Sequence, residues 1–328
     1  MNDLCINCGQ TNLKPLYSAP AFDSQFYPSE KRNLELARCQ HCKLVSTIGA
    51  SSGEVADAYT NEYYGSASSK FVAMIERILA LIAMFRARKI TRLWRKARQI
   101  EKTPSVLDIG CGRGLLLRAF QSLGSTVLGL ERQEFPALEV SDDIVHVGSI
   151  SDAEYADRQF DIIILWHVLE HLEQHENLLD EITNHLTEHG LLIIAVPNFS
   201  SLQQHLFSKY WFHLDLPRHL VHFDSKWLVQ QLSKRGYIIE ITSYIDPVQN
   251  IYGFIQSAMN SIAPRQLNNY YRLLKHGRYL ERKMLLPIIK WSLLSMVLLP
   301  FAILENLLGA LLRRGATVQI IARLETER

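Results

Sequence analysis

The stretch VLDIGCGRG, residues 106 to 114, decides how the rest of this chain is read. Ser105 to Ile109 has the pattern of a buried parallel strand, and Pro104 marks its start. Gly110, Gly112 and Gly114 follow at alternate positions, where the backbone can turn tightly and a ligand can approach with no Cβ in its way. LLLRAFQSLG (115 to 124) continues as a helix ending at glycine, and TVLGLE (126 to 131) is a second strand ending in Glu131. Strand, glycine loop, helix, strand, acid is the order of a nucleotide-type cofactor site, in which the acid takes both ribose hydroxyls. The third glycine is Gly114, so the spacing is not the G-x-G-x-x-G of nicotinamide enzymes, and no P-loop lysine follows. Asp108 precedes the loop, placed to order it or to accept from a cofactor amine.

Outward from the loop, DIVHVG (143 to 148), FDIIILW (160 to 166) and LLIIAV (191 to 196) are short apolar runs separated by helical stretches such as NLLDEITNHLT (177 to 187). Alternation of this length implies an α/β fold with a mostly parallel sheet covered on both faces. Ligands then gather at the carboxyl ends of the strands, where Gly110, Glu131, Ser149 and Trp166 all fall.

Four of the five cysteines form two pairs, CINC (Cys5, Cys8) and CQHC (Cys39, Cys42). Four thiolates on two tight turns suit tetrahedral structural zinc, with no open position for catalysis. A ribbon with strands near 34 to 38 and 44 to 48 has little core, so the metal would supply much of its folding energy. Residues 70 to 98 carry nine Lys or Arg against one acid, Glu76, with apolar residues at helical spacing: Phe71, Ile75, Ile78, Leu79, Ile82, Phe85. This reads as a helix packed on the main domain with a basic face in water, or a surface for anionic lipid or an acidic substrate. Across the whole chain the net charge is only +2, with 48% apolar and 21% charged residues, so composition makes no case for nucleic acid. MNDLCINCGQ has no signal-peptide pattern, and the default location is the cytoplasm or the cytoplasmic face of a membrane.

VLDIGCGRG, GLE, FDIIILWHVLEHL and GLLIIAVPN together resemble the class I S-adenosylmethionine-dependent methyltransferase family, over roughly residues 103 to 244. WHVLEH followed by YWFHLDLPRHLVHF (210 to 223) is similar to a bacterial subgroup acting on small molecules, and an N-terminal zinc ribbon occurs on some relatives that methylate nucleotide-linked sugars. The resemblance implies a Rossmann-like seven-stranded sheet whose sixth and seventh strands, near 237 to 244 and 318 to 324, form an antiparallel edge. It implies S-adenosyl-L-methionine as cofactor, held by Asp108, Gly110, Cys111, Gly112, Gly114 and Glu131. Ser149 and Ile150 would lie against adenine, where family members often have an acid; Asp152 is nearby. Trp166 and His167 would face the methionine part. No N/D-P-P-Y type tetrapeptide follows the fourth strand, against the amino-methylating DNA and protein-glutamine branches.

His167, His171 and His175 are four apart and could share a helical face. HLDLPRHLVHF places His213, Asp215, Arg218, His219 and His222 in a segment expected to fold over the pocket mouth. His167 and His219 are the candidates for general base, with His213 and Arg218 as orienting groups and Arg218 suited to a carboxylate or phosphate. A polar network that only holds the lid is the competing reading.

About 70 residues separate the last two strands. Within 285 to 312 only Lys290 and Glu305 are charged. Pro300 is expected to break the run into two helices, dipping into one leaflet, pairing with each other, or forming a homodimer surface. The expected organisation is a zinc ribbon (1–48), a basic helical connector (49–101), a core (102–246), an apolar helical insertion (247–314) and a last strand (315–328). The leading functional reading is methyl transfer to a small molecule such as a sugar nucleotide, a lipid-linked sugar or a quinone-like lipid. The alternative is a non-catalytic protein that keeps the fold and uses the ribbon for interactions.

Overall fold

The computed structural model describes residues 4–21, 33–50, 73–98, 102–132, 144–276 and 282–325. In chain order the strands are β1 (Leu13–Pro20), β2 (Asn33–Cys39), β3 (Val45–Ile48), β4 (Ser105–Ile109), β5 (Thr126–Glu131), β6 (Val145–Val147), β7 (Phe160–Trp166), β8 (Leu186–Pro197), β9 (Val221–His222), β10 (Tyr237–Ser243) and β11 (Thr317–Leu324). The helices are α1 (Ala73–Arg98), α2 (Leu115–Gln121), α3 (His175–His185), α4 (Leu202–Phe207), α5 (Ser225–Lys234), α6 (Pro247–Ile262), α7 (Asn269–His276) and α8 (Arg282–Leu311).

The central sheet has the order β10-β11-β8-β7-β4-β5-β6. The five strands from β8 to β6 run parallel, and β11 is antiparallel to both β8 and β10. This is the Rossmann-like sheet expected, with its antiparallel edge. Successive residues of β7 serve opposite faces. Ile163 and Leu165 join Leu107, Ile194 and Trp227 on one side, whereas Ile162 and Ile164 join Val106, Phe120 and Trp94 on the other. A strand apolar at every position from Ile162 to Trp166 is what a sheet covered on both faces requires.

Helix α1 covers one face through Ala83, Ala87, Ile90 and Trp94, which recur at helical spacing and are buried. The expected apolar face was different. Ile78 and Phe85 are exposed, Leu79 and Ile82 are partly exposed, and Phe71 and the side chain of Ile75 lie outside the described residues, as does the connector before 73. Small alanines allow close approach to the sheet and so outcompete the larger side chains one turn earlier. Nor does the basic face lie wholly in water, because Arg86 pairs with Asp246 at 2.7 Å and stacks 4.2 Å from the centre of the Trp166 ring.

The ribbon forms a second sheet, β1-β2-β3-β9. Its last strand belongs to the LVHF segment of the main domain, with Val45 opposite His222 and Ser46 opposite Val221. Thr47 secures the joint: its N–H donates to the Leu220 carbonyl at 2.9 Å and its hydroxyl to the His219 carbonyl at 2.7 Å.

The insertion comprises α6, α7 and α8. The apolar stretch is one continuous helix that passes through Pro300 without a break. Pro300 is exposed, on the side where a carbonyl robbed of its partner can tilt outward. Helix α8 is pinned to the domain by buried polar contacts: Gln203 Nε2 donates to Glu305 Oε2 at 2.7 Å, and Asn250 Nδ2 donates to Asn306 Oδ1 at 2.9 Å.

Candidate functional site

At the carboxyl ends of β4 and β5 the glycine loop is held tightly. Gly110 has φ +70°, and a Cβ there would lie 2.5 Å from Val168 Cγ2, so only glycine fits. The Gly110 N–H donates to the Leu130 carbonyl at 2.7 Å. Glu131 Oε1 accepts from the Gly112 N–H at 2.5 Å and Oε2 from the Arg132 N–H at 3.2 Å, which ties the acid to the loop. Gly114, with φ 76°, is the N-cap of α2.

Asp108 is 3% exposed beneath the loop, and its Oδ1 has no partner among the described residues. Burial, and then the charge of Glu131, push its carboxyl well above the usual range. Burial likewise raises Glu131. Cys111 points back under the sheet, where a Cβ on Gly129 would meet its sulfur at 2.7 Å. Asp108 and Cys111 line a side cavity of about 200 Å³ beside α1.

The main cavity is about 1040 Å³ and is lined by Gly110, Gly112, Glu131, Ser149, Ile150 and Trp166 at one end. Ser149 donates its N–H to Asp152 Oδ2 at 2.8 Å, so an acid stands directly behind this wall of the cavity. The same cavity reaches His167, His171, His213, Asp215, Arg218 and His219 at the other end. It is at the upper limit of ordinary ligand sites, roughly 300–1,000 Å³. A bent nucleoside and a second small molecule therefore fit together. Open space at Gly112, the Glu131 carboxylate and the walls at Ser149 and Ile150 suit an adenosine-type cofactor.

His167 ends β7 with φ 56°, a left-handed conformation costly for a residue with a side chain. Its Nδ1 lies 3.0 Å from Glu170 Oε1. Burial opposes ionisation of Glu170, but the His167 hydrogen bond together with the neighbouring imidazoles His167, His171 and His219 outweighs it, and the carboxyl falls to about 2. Glu170 Oε1 beside Nδ1 favours a proton there, and Nε2 is buried with no partner among the described residues. His171 Nδ1 lies 3.1 Å from the Arg218 carbonyl, and His219 has Nδ1 2.9 Å from the His213 carbonyl and Nε2 3.9 Å from Asp215 Oδ2. Burial pulls His171 down to about 4 and His213 to about 3, and lowers His219; these rings are neutral at pH 7.

Arg218 is clamped by Asp215, with Nε donating to Oδ2 at 2.8 Å and Nη2 meeting Oδ1. That pair braces the segment, so Nε and Nη2 are engaged and do not reach toward a substrate anion. The helical face that His167, His171 and His175 could have shared does not form. Leu169–His171 is a single 3₁₀ turn, α3 starts only at His175, and His175 Nε2 meets Asn7 Oδ1 of the ribbon at 3.0 Å, away from the cavity. His222 turns to Thr47 Oγ1 at 3.0 Å.

Among the described residues, two groups of side chains could hold metal. Cys5, Cys8, Cys39 and Cys42 converge, with sulfurs 3.6 Å apart in the pairs Cys5–Cys42 and Cys8–Cys39. Tetrahedral zinc with bonds of about 2.3 Å sets its sulfurs roughly 3.8 Å apart, whereas a disulfide needs about 2 Å. The donor set fits zinc. Donor atoms of Glu170, His171 and His219 also lie within 4.8 Å of one another.

Sequence reasoning missed Glu170 as the partner of His167, although H-x-x-E places them three apart. It also missed Gln249, Tyr252, Asn268 and Tyr271, cavity residues supplied by the insertion, for which no local pattern existed. Burial pushes Tyr271 up to about 12.

Residues 78–240, just under half of the chain, match the family model described as a methyltransferase domain. Among curated proteins the chain is similar to a ubiquinone biosynthesis O-methyltransferase of Glaesserella parasuis, 32% identical over 110 residues, covering 28% of this chain and 45% of that protein. The chain spans less than half the length of the curated relatives it matches, 45% and 40%. Among solved structures it is similar to the plantazolicin methyltransferase BpumL in complex with a monoazolic desmethylPZN analog and SAH, with 15% identity, TM-score 0.45, and 76% of this chain and 87% of that one covered. It is also similar to an S-adenosylmethionine dependent methyltransferase from Mesorhizobium loti, with 14% identity, TM-score 0.40, and 70% and 96% covered.

Proposed function

We propose that this protein is an S-adenosylmethionine-dependent methyltransferase that methylates a small-molecule acceptor: a sugar nucleotide, a lipid-linked sugar or a quinone-like lipid. The observation that carries this is the single cavity joining the Gly110–Glu131 corner to the buried His167–Glu170 pair. The relatives named as ubiquinone biosynthesis O-methyltransferases favour an oxygen acceptor within that class.

When bound, S-adenosylmethionine supplies an electrophilic methyl group on a sulfonium that is already a good leaving group. Gly110 and Gly112 would hold it by close backbone approach, Glu131 by its ribose hydroxyls, and the Ser149–Asp152 corner by its adenine. The remaining work falls to this chain. His167 Nε2 is placed to take a proton from an acceptor hydroxyl, and Glu170 then stabilises the imidazolium. The lid from Phe212 to Leu220 and the insertion's Tyr252 and Tyr271 exclude water and orient the acceptor. The zinc ribbon is structural, and its β3 seats the lid by pairing with β9.

Incubation with methyl-labelled S-adenosylmethionine and fractions of sugar nucleotides or lipid extract tests this. Label in a small-molecule product, abolished in Glu131→Ala, is the expected result. Label appearing only in protein or RNA would overturn the acceptor class.

A further inference from the structure

Helix α8 presents an outer face that no globular packing explains. Between Leu285 and Leu311, thirteen large apolar side chains are exposed, among them Leu286 at 77%, Met296 at 67% and Leu311 at 78%. At about 100° per residue, the buried Trp291, Ala302, Glu305, Asn306 and Gly309 fall on one side. Leu286, Leu293, Val297, Leu304 and Leu308 fall opposite, and the exposed apolar side chains together span an arc of roughly 200°. A helix packed on a domain by one side carries polar residues on the other. Here the outer arc holds a single charge, Lys290, long enough to reach past its neighbours, while the one carboxylate, Glu305, is turned inward. The exposed apolar area is on the order of 1,000 Å², beyond the few hundred Å² of ordinary surface patches.

The helix is long and apolar enough to cross a membrane by length and composition. Its packing says otherwise. Trp291 and Gly309, both buried, are about 27 Å apart along the axis. The partner helix α6 buries Asn250, Gln256, Ser257 and Asn260, which could not follow α8 into lipid. The helix must therefore lie along the domain, with only its outer arc free. Positive charge stands at both ends: Arg282 and Lys283 open the helix in sequence, and Arg313 and Arg314 are exposed just after it. An apolar arc wrapping more than half a helix, flanked by basic residues, matches a fluid anionic bilayer better than a flat protein face.

We propose that α8 is an in-plane membrane-docking helix whose outer arc sinks into one leaflet of an anionic lipid bilayer. The same insertion walls the acceptor end of the cavity with Tyr252, Asn268 and Tyr271. An acceptor borne by the membrane is then the class that fits, a corollary that rests on the methyltransferase reading above.

The test is co-sedimentation of the zinc-loaded protein with vesicles of phosphatidylcholine containing about 30% phosphatidylglycerol, whose negative surface attracts basic residues, against vesicles of phosphatidylcholine alone. The wild type should pellet with the anionic vesicles and more weakly with the neutral ones. The double variant Leu293→Glu, Val297→Glu should lose at least tenfold in partitioning while its thermal midpoint and affinity for S-adenosylhomocysteine stay unchanged. If that variant does not fold, Leu293→Cys carrying an environment-sensitive fluorophore should be quenched by lipids labelled in their acyl chains. Absence of vesicle binding, equal binding by the folded variant, no acyl-chain quenching, or a concentration-dependent dimer that buries this face and ignores vesicles would each overturn docking. Loss of docking with intact S-adenosylhomocysteine binding leaves the methyltransferase reading in place, and vesicle binding without S-adenosylhomocysteine binding removes that reading while docking stands.

Discussion

Acidification should destabilise this protein well before its carboxylates titrate, because the lid buries neutral histidines. In the folded state His171 is lowered to about 4, and His213 and His222 to about 3, by burial. In the unfolded chain each returns to about 6.5. The folded value lies below the unfolded one, so the unfolded chain binds the proton first. Stability is therefore full above about pH 6.5 and declines as pH falls toward the folded values. From pH 7 to 5 each ring costs roughly 2 kcal/mol, and three cost about 6 kcal/mol if the effect is fully transmitted. That is comparable with the whole stability of a typical domain, about 5–15 kcal/mol. Glu170, held low against burial by the His167 hydrogen bond, acts in the same direction only below about 4.5, outside this window. Urea unfolding of zinc-saturated protein at pH 7, 6 and 5 measures the loss. His171→Asn keeps a donor for the Arg218 carbonyl but removes one proton site, so its loss between pH 7 and 5 should be about 2 kcal/mol smaller than the wild type's. Zinc release affects both proteins alike and cancels. A variant that loses as much stability as the wild type would refute the reasoning.

Four further outcomes are expected. Gly110→Ala should weaken S-adenosylhomocysteine at least tenfold, about 1.4 kcal/mol, because its Cβ meets Val168; Gly236→Ala, with φ +76° and nothing within 4 Å, should leave affinity unchanged. Glu170→Gln should lower kcat by roughly 100-fold with cofactor affinity preserved, and a kcat equal to wild type would remove Glu170 from its assigned part. Cys39→Ser should lose stoichiometric zinc by elemental analysis and raise amide exchange at Val221 and His222, since β3 pairs with β9. Thr47→Val should cost roughly 1–3 kcal/mol of stability by leaving the His219 carbonyl unpaired, measured by thermal or urea unfolding.

The cofactor corner was legible because its signals are local. Gly110 to Gly114, Glu131 and the apolar runs of β4, β7 and β8 lie within short windows whose periodicity and glycine spacing have direct geometric meaning. The convergence of Cys5, Cys8, Cys39 and Cys42 was legible for the same reason. What escaped depends on contacts distant in sequence. Strand β9 is two residues long, and only its pairing with β3 makes it a strand. The ribbon therefore reads as a separate module, yet its sheet is completed by the lid. His167, His171 and His175 suggest a helical face only if the helix runs through all three; the 3₁₀ turn at Leu169–His171 sends His175 to the ribbon. The inward face of α1 was misread because large apolar residues outweigh alanines in a periodicity count, whereas close packing favours Ala83 and Ala87. The residues Tyr252, Asn268 and Tyr271 reach the cavity from an insertion with no motif of its own.

The central claim is that the Gly110–Glu131 corner holds an adenosine-type cofactor next to, and independently of, the His167–Glu170 pair. Calorimetric titration of folded, zinc-loaded protein with S-adenosylhomocysteine tests it most directly, in wild type, Glu131→Ala and Glu170→Gln. One site per chain is expected, with binding in the micromolar range, abolished in Glu131→Ala and retained in Glu170→Gln. No binding by the folded wild type, or binding that survives Glu131→Ala unchanged, would contradict it and favour a protein that keeps the fold without the cofactor.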